Sequence, residues 1–175
     1  MKKIILICCG CLLFTAMTCT KDSDTQHHHI RFYNASDCEI YVDKSHDYPD
    51  TTLSRVQNVM TPGWNLMVQS HSTNNDAFTN RNSYEVDFRC KYDTLVVFVF
   101  NSDTLALYGW EYSKNNYCIS QRYDLSLSDL QRLSWRLQFP PTEGMRDIKM
   151  WPPYGTYDSL GHLTRWVRCL GINIY

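Results

Sequence analysis

The sequence has few charged residues and no excess of either sign. Charged side chains make up 20% of the 175 residues, and the formal net charge is −1 at pH 7. A protein that binds nucleic acid through its phosphates normally carries a clustered excess of lysine and arginine. The composition therefore excludes nucleic acid as an expected partner, and the hydrophobic content of 43% excludes a largely disordered chain.

Motifs that carry catalysis are also missing. The chain contains no G-x-S-x-G, no H-E-x-x-H, no phosphate-binding P-loop and no G-x-G-x-x-G. We therefore expect no enzymatic activity and no cofactor. Three adjacent histidines, His27, His28 and His29, are candidate metal ligands, but neighbours on a flexible tether cannot all turn toward one ion. No metal site is expected.

The sequence has no apolar run long enough to cross a bilayer as a helix, which takes about 20 residues. Two lysines, Lys2 and Lys3, precede a shorter apolar stretch over residues 4–14, as in a signal peptide. Small residues then lead to Cys19, and the chain turns polar. This pattern resembles a bacterial lipoprotein signal with Cys19 as the lipidated residue. The alternative is an ordinary secretory signal cleaved near residues 16–18.

The lipoprotein interpretation divides the chain into three parts. Residues 1–18 are the signal peptide, 19–29 a lipidated tether, and 30–175 a single β-rich domain. Several acyl chains on Cys19 would hold the protein at a membrane permanently, since each buried methylene contributes ~0.8 kcal/mol. By resemblance to sorting rules, Thr20 after this cysteine implies the outer membrane. The acidic segment 21–24 resembles an export tag, which implies a surface-exposed protein.

Four cysteines remain outside the signal and the anchor, and none belongs to a C-x-x-C pair. In an exported domain they allow two disulfides with three possible connectivities. Free buried thiols are the alternative. The four candidates are Cys38, Cys90, Cys118 and Cys169.

The pattern along the domain predicts a mainly β fold, a two-layer antiparallel sandwich with one or two short helices, and an α+β arrangement as the alternative. Residues 94–100 form an unbroken apolar run, which predicts a central strand covered on both faces. The strands predicted from alternation cover 84–91, 117–123 and 135–139, together with a hairpin over 30–42 and a last strand ending at 175. Helices are predicted over 103–116 and 127–133. A polar loop is predicted over 71–83 and a hairpin turn at 158–161.

Several of these segments together resemble a known family. The most specific is R-Y-D-L-S-L-S-D-L-Q-R-L at 122–133, followed by W-R-L-Q-F-P-P at 135–141. The similarity spans roughly residues 30–151, and the family comprises small uncharacterised outer-membrane lipoproteins of anaerobic gut Gram-negative bacteria. The resemblance implies an envelope location and a compact mature domain. It supplies no catalytic residues.

Aromatic residues make up 14% of the chain, and they suggest a ligand. Sugar rings stack on indole and phenol rings, so Trp151, Tyr154 and Trp166 are candidates for a glycan platform, with core packing as the alternative. We expect a non-enzymatic binding or accessory module for a glycan or an envelope protein. The alternatives are an envelope hydrolase without a recognisable motif and an inhibitor or immunity lipoprotein.

A short pattern recurs in predicted turns: aspartate, a hydroxyl residue, then threonine or leucine. It resembles an acceptor motif for O-glycosylation of exported proteins, and Thr51 and Ser159 are the candidate acceptors because both fall in predicted exposed loops. The local alternative is that these pairs form Asx-turns and helix caps.

Overall fold

The computed structural model describes residues 26–63 and 66–163. These residues form eight strands: β1 His29–Asn34, β2 Ile40–Ser45, β3 Met67–Val68, β4 Ser72–Thr79, β5 Leu95–Asn101, β6 Gln121–Leu125, β7 Arg136–Phe139 and β8 Lys149–Trp151. They also form four short α-helices and one 3-10 helix: α1 Tyr84–Cys90, α2 Ser102–Tyr108, α3 Trp110–Asn115, α4 Leu127–Arg132 and the 3-10 helix Glu143–Met145.

The strands make two sheets, and the predicted mainly β sandwich is confirmed. One sheet has three strands in the order β4-β1-β7, and the other has five in the order β3-β2-β5-β6-β8. All pairings are antiparallel except β1 with β7, which run parallel. The main core lies between the sheets and includes Phe32, Phe78, Val97, Tyr123 and Leu137.

The predicted central strand at 94–100 is confirmed as β5, which lies between β2 and β6. Its alternate side chains enter two separate cores. Leu95, Val97 and Val99 face the three-stranded sheet, whereas the side chains between them pack into a second cluster with Leu105 and Trp110 of the helices and with the loop 53–59. All its apolar residues are buried because each face of the sheet is covered.

The predicted hairpin at 30–42 is wrong. β1 and β2 do not pair with each other but belong to different sheets. The segment between them forms an Asx-turn, in which the side-chain oxygen of Asn34 accepts the N–H of Ser36 at 3.0 Å. This turn carries the chain from the three-stranded sheet to the five-stranded sheet. β1 and β2, although adjacent in sequence, therefore lie on opposite sides of the core.

The strand predicted at 84–91 is also wrong, because this segment is the helix α1. Ser83 caps it by accepting the N–H of Val86 at 3.4 Å. Tyr84 and Asp87 are buried three residues apart, and Val86 between them is 40% exposed. A helix of two turns places positions i and i+3 on one face, so the apparent alternation was incidental.

The polar loop predicted at 71–83 contains a strand. β4 pairs antiparallel with β1 and carries a register shift opposite residues 30–32. Its buried apolar residues, Ala77 and Phe78, cover the core, and polar side chains occupy the remaining positions, of which Asn74 is also buried. The strand was missed because asparagine and aspartate are depleted in strands, although an edge strand tolerates them.

Both helix predictions are confirmed in outline. The capping box at α4 is complete, since Ser126 accepts the N–H of Asp129 at 3.2 Å and Asp129 accepts the N–H of Ser126 at 3.0 Å. The segment 103–116 contains two helices, separated by Gly109 at φ 77°, a conformation that glycine adopts without strain. Within the described ranges, no helix is long and apolar enough to span a membrane.

Candidate functional site

The candidate site lies on the outer face of the three-stranded sheet. In β1, Ile30, Phe32 and Asn34 point into the protein, so the residues between them point outward because strand side chains alternate. The outward side chains are Arg31 and Tyr33, with Tyr33 36% exposed.

Neighbouring strands extend this face in two rows. In one row, Tyr33 lies between Thr73 of β4 and Gln138 of β7, which are its register partners. In the other row, Arg31 of β1 is the register partner of Arg136 of β7. An aromatic ring flanked by a hydroxyl and an amide therefore lies beside two guanidinium groups.

Two depressions meet on this face. The first, the sheet-face groove, has a volume of about 640 Å³, and its walls include Leu133 after α4 and Thr142 and Met145 at the 3-10 helix. The second, the histidine groove, has about 810 Å³ and is lined by Gln131, Trp135 and residues 26–29. Arg31 and Arg136 line both grooves and form the boundary between them.

The two arginines lack a carboxylate partner among the described residues, as Arg81 and Arg89 also do. Four other arginines make ion pairs with carboxylates at 2.7 to 3.2 Å: Arg55, Arg122, Arg132 and Arg146. Neither Arg31 nor Arg136 has a carboxylate within 4.0 Å among the described residues. Asp76 of β4 instead lies 3.9 Å from the ring of His29. The shared wall of the two grooves is therefore positively charged.

His27 holds one wall of the histidine groove in place. His27 binds Glu85 of α1 through its backbone N–H at 3.0 Å and its Nδ1 at 2.6 Å. Its ring stacks on Trp135 at 4.2 Å. The hydrogen bonds from the His27 backbone and side chain lower the pKa of the Glu85 carboxyl, against the opposing effect of its partial burial. The histidines that the sequence placed in the tether thus contact the domain.

Two residues of the predicted glycan platform, Trp151 and Tyr154, belong to the described part of the chain. Trp151 is 37% exposed, with its ring 5.9 Å from Tyr117 at the edge of the five-stranded sheet. Tyr154 donates its hydroxyl to Glu143 at 2.9 Å and lines a smaller cavity of about 330 Å³. Neither lines the sheet-face groove, and Trp166 lies outside the described residues.

The two candidate glycosylation residues differ in exposure. Ser159 is exposed in the turn 158–161, where Asp158 accepts the N–H groups of Leu160 and His162 at 2.9 Å. Thr51 is half-buried, and its backbone oxygen accepts the hydroxyl of Tyr117 at 3.0 Å. The aspartate before each hydroxyl residue forms a local turn, since Asp50 likewise accepts the N–H of Thr52.

Cys38, Cys90 and Cys118 carry free thiols. The fourth disulfide candidate, Cys169, and the predicted lipidation site, Cys19, lie outside the described residues, as does the last strand predicted to end at 175. Within the described part of the chain, no group of three His, Cys, Asp or Glu side chains is arranged to hold a metal ion.

One half-buried polar cluster lies near α1. Lys44 of β2 donates to the hydroxyl of Tyr84 at 2.9 Å, and burial lowers the pKa of its ammonium to about 8. On the opposite face of the strand, burial raises the pKa of the neighbouring Asp43 carboxyl to about 6. The hydroxyl of Tyr84 donates onward to the Phe78 carbonyl at 3.1 Å. These groups tie β2, β4 and α1 together and line neither groove.

Sequence reasoning missed the residues that form the groove, although one signal for them was present. The segments I-R-F-Y and W-R-L-Q-F both alternate, which assigns Arg31, Tyr33, Arg136 and Gln138 to outward faces. The pairing of β1 with β7 was not visible, because residues 35–135 separate the two strands. Comparison of the chain with protein-family models, with curated proteins and with solved structures finds no match.

Proposed function

We propose that the chain is a non-enzymatic binding module of the bacterial cell envelope that takes a glycan on the outer face of its three-stranded sheet. The observation that carries the proposal is the row Thr73–Tyr33–Gln138 on the floor of the sheet-face groove. A half-exposed phenol ring offers a stacking surface for the C–H face of a sugar. The hydroxyl and amide beside it both donate and accept hydrogen bonds, which sugar hydroxyls require.

The groove also suits a chain-like ligand. It is lined mainly by polar side chains, with Leu133 and Met145 at one wall. The adjoining histidine groove extends it along the same face past the two arginines. A polysaccharide could occupy both without a conformational change in the sheet, and a preformed site loses little free energy on ordering.

The test is binding of soluble polysaccharides to the full chain purified in detergent, with retardation in affinity gels as the measurement. The panel contains neutral polymers, dextran and galactan, and acidic ones. Tyr33→Ala should weaken binding about tenfold or more, as truncation of a central aromatic contact does. Tyr108→Ala is the matched control, since Tyr108 is an exposed tyrosine on α2 that lines neither groove.

Two outcomes would contradict the glycan proposal. One is that no polymer in the panel retards the parent protein. The other is that Tyr33→Ala binds as tightly as the Tyr108→Ala control and the parent do.

The envelope location rests on the N-terminal pattern, with Cys19 as the proposed anchor at the outer membrane. Cys19→Ala should release or mislocalise the protein, because in this proposal a single residue carries all the acyl chains. The measurement is partition into detergent of parent and variant from the native host. A Cys19→Ala protein that partitions into detergent as the parent does contradicts the anchor, and Cys38→Ala controls for loss of a thiol as such.

A second candidate function, binding of an envelope protein, is favoured by one exposed apolar patch. Leu107 of α2 is 73% exposed, and next to it Tyr108 and Tyr112 stack at 5.0 Å. Exposed aliphatic and aromatic side chains of this kind occur at protein interfaces. Leu107→Asp tests this candidate alone, because Leu107 lines neither groove. No specific contact among the described residues favours a hydrolase or an inhibitor.

A further inference from the structure

The pair Arg31 and Arg136 offers more information about the ligand than the rest of the groove does. The two residues are register partners on neighbouring parallel strands and both point outward. Neighbouring strands lie about 4.8 Å apart. Like charges directly opposite each other on a sheet destabilise it. The fold therefore places two exposed cations side by side with no carboxylate between them.

The surroundings do not neutralise this repulsion. The described carboxylates that bind arginines elsewhere are absent from this wall, which consists of Gln131, Ser134 and the histidines on one side and neutral polar or apolar residues on the other. Arg132, the last residue of α4, is by contrast bound to Asp129 at 3.2 Å and to the Gly144 carbonyl. Two guanidinium groups are thus left with free donors facing the open grooves.

Free, paired guanidinium groups are suited to an oxyanion. Each presents a planar fork of N–H donors that matches the two oxygens of a carboxylate, and a charge-assisted bond of this kind is about twice as strong as a neutral one. The arginine row lies two residues from the tyrosine row, which is about 7 Å along the strand. A sugar ring on Tyr33 would therefore place a ring substituent over the arginines.

We propose that Arg31 and Arg136 bind the carboxylates of a uronic-acid polysaccharide, and that the ligand of the sheet-face groove is an acidic glycan. This inference rests on the proposed glycan-binding function and specifies its ligand class. Tyr33 supplies the stacking surface, Gln138 and Thr73 bind hydroxyl groups, and the arginine pair selects the charged sugar. Selection arises because a neutral sugar lying over the pair would displace water from both cations and give them no charged partner in return.

The experiment compares an acidic polymer with its neutral counterpart. The full chain in detergent is titrated with polygalacturonate, alginate and hyaluronate, with polygalacturonate whose carboxyl groups have been reduced to alcohols, and with dextran sulfate. We expect at least one uronate polymer to bind. We expect its reduced form, where tested, to bind at least tenfold more weakly, and binding to the uronate to weaken as salt is raised.

The variants then assign the effect to the pair. Arg31→Gln with Arg136→Gln should weaken binding of the uronate polymer at least tenfold and leave the melting temperature unchanged or higher, because the repulsion is removed. Arg136→Lys keeps the positive charge but lacks the planar fork of N–H donors. It should therefore keep only part of the parent's affinity for the uronate polymer. Arg89→Gln, an exposed arginine on α1 outside both grooves, is the matched control and should bind as the parent does.

The outcomes separate this inference from the proposed function. Binding of neutral and acidic polymers that depends on Tyr33 but not on the arginine pair supports glycan binding and overturns the acidic ligand. Binding of dextran sulfate with no binding of any uronate overturns the carboxylate assignment. Failure of every polymer overturns both.

Discussion

Phe98→Ala should destabilise the protein by about 3 to 5 kcal/mol, the usual cost of removing a fully buried phenylalanine. Phe98 is 0% exposed at the centre of β5. Its side chain packs in the second core cluster between the five-stranded sheet and the loop 53–59, together with Phe100 at a ring distance of 6.4 Å. A domain of this size has a total stability of roughly 5 to 15 kcal/mol, so the variant loses a large fraction of it.

Thermal unfolding followed by circular dichroism measures this loss, and the melting temperature should fall by on the order of 10 °C. Tyr112→Ala is the control, since Tyr112 is an aromatic residue that is 48% exposed on α3. Its removal should shift the melting temperature by far less. Equal melting temperatures for Phe98→Ala and the parent would contradict the burial of β5 on both faces.

Asn34→Ala should cost about 2 to 4 kcal/mol, because it leaves several buried polar groups without partners. The side-chain amide of Asn34 donates to the carbonyl of Cys38 at 2.7 Å and to those of Val68 and Gln69 at 3.1 Å. Its oxygen accepts from both the N–H and the hydroxyl of Ser36. One buried side chain therefore joins the end of β1 to the start of β2 and to β3.

Denaturant unfolding of Asn34→Ala is best compared with that of Asn58→Ala. Asn58 also forms an Asx-turn, accepting the N–H of Met60 at 3.0 Å, but it is exposed. Water can replace that bond, so Asn58→Ala should lose well under 1 kcal/mol. If the two alanine variants unfold at the same denaturant concentration, burial of the Asn34 amide is not what stabilises the turn.

Local features of the sequence predicted those elements whose physics is local. The apolar run at 94–100 predicted β5, because only a strand covered on both faces is apolar at every position. The spacing of Ser126 and Asp129 predicted the start of α4, since each side chain satisfies a backbone N–H of the other residue. Both signals are complete within a few residues.

Features that depend on distant partners were not predictable in this way. At 84–91 the same letters fit an alternating strand or a helix with Tyr84 and Asp87 inward, and only packing against the sheet decides between them. The assignment of β1 and β2 to different sheets depends on β4 and β7. These two strands pair with β1 on both of its edges, so no edge is left for β2. The arginine pair arises from the same long-range pairing, so neither residue was a candidate before the register was known.

The sequence Asn34-Ala35-Ser36 has a practical consequence for producing this protein. It matches the acceptor pattern for N-glycosylation. A eukaryotic secretory pathway attaches a glycan to such an asparagine before folding is complete. In the folded protein the Asn34 amide nitrogen is fully buried and already bonded to backbone carbonyls. A glycan on that nitrogen would prevent the Asn34 amide from being buried and from bonding the carbonyls that connect β1 to β2 and β3. Protein secreted from yeast or animal cells would then misfold at this turn, whereas a bacterial host without this modification leaves the amide free to complete it.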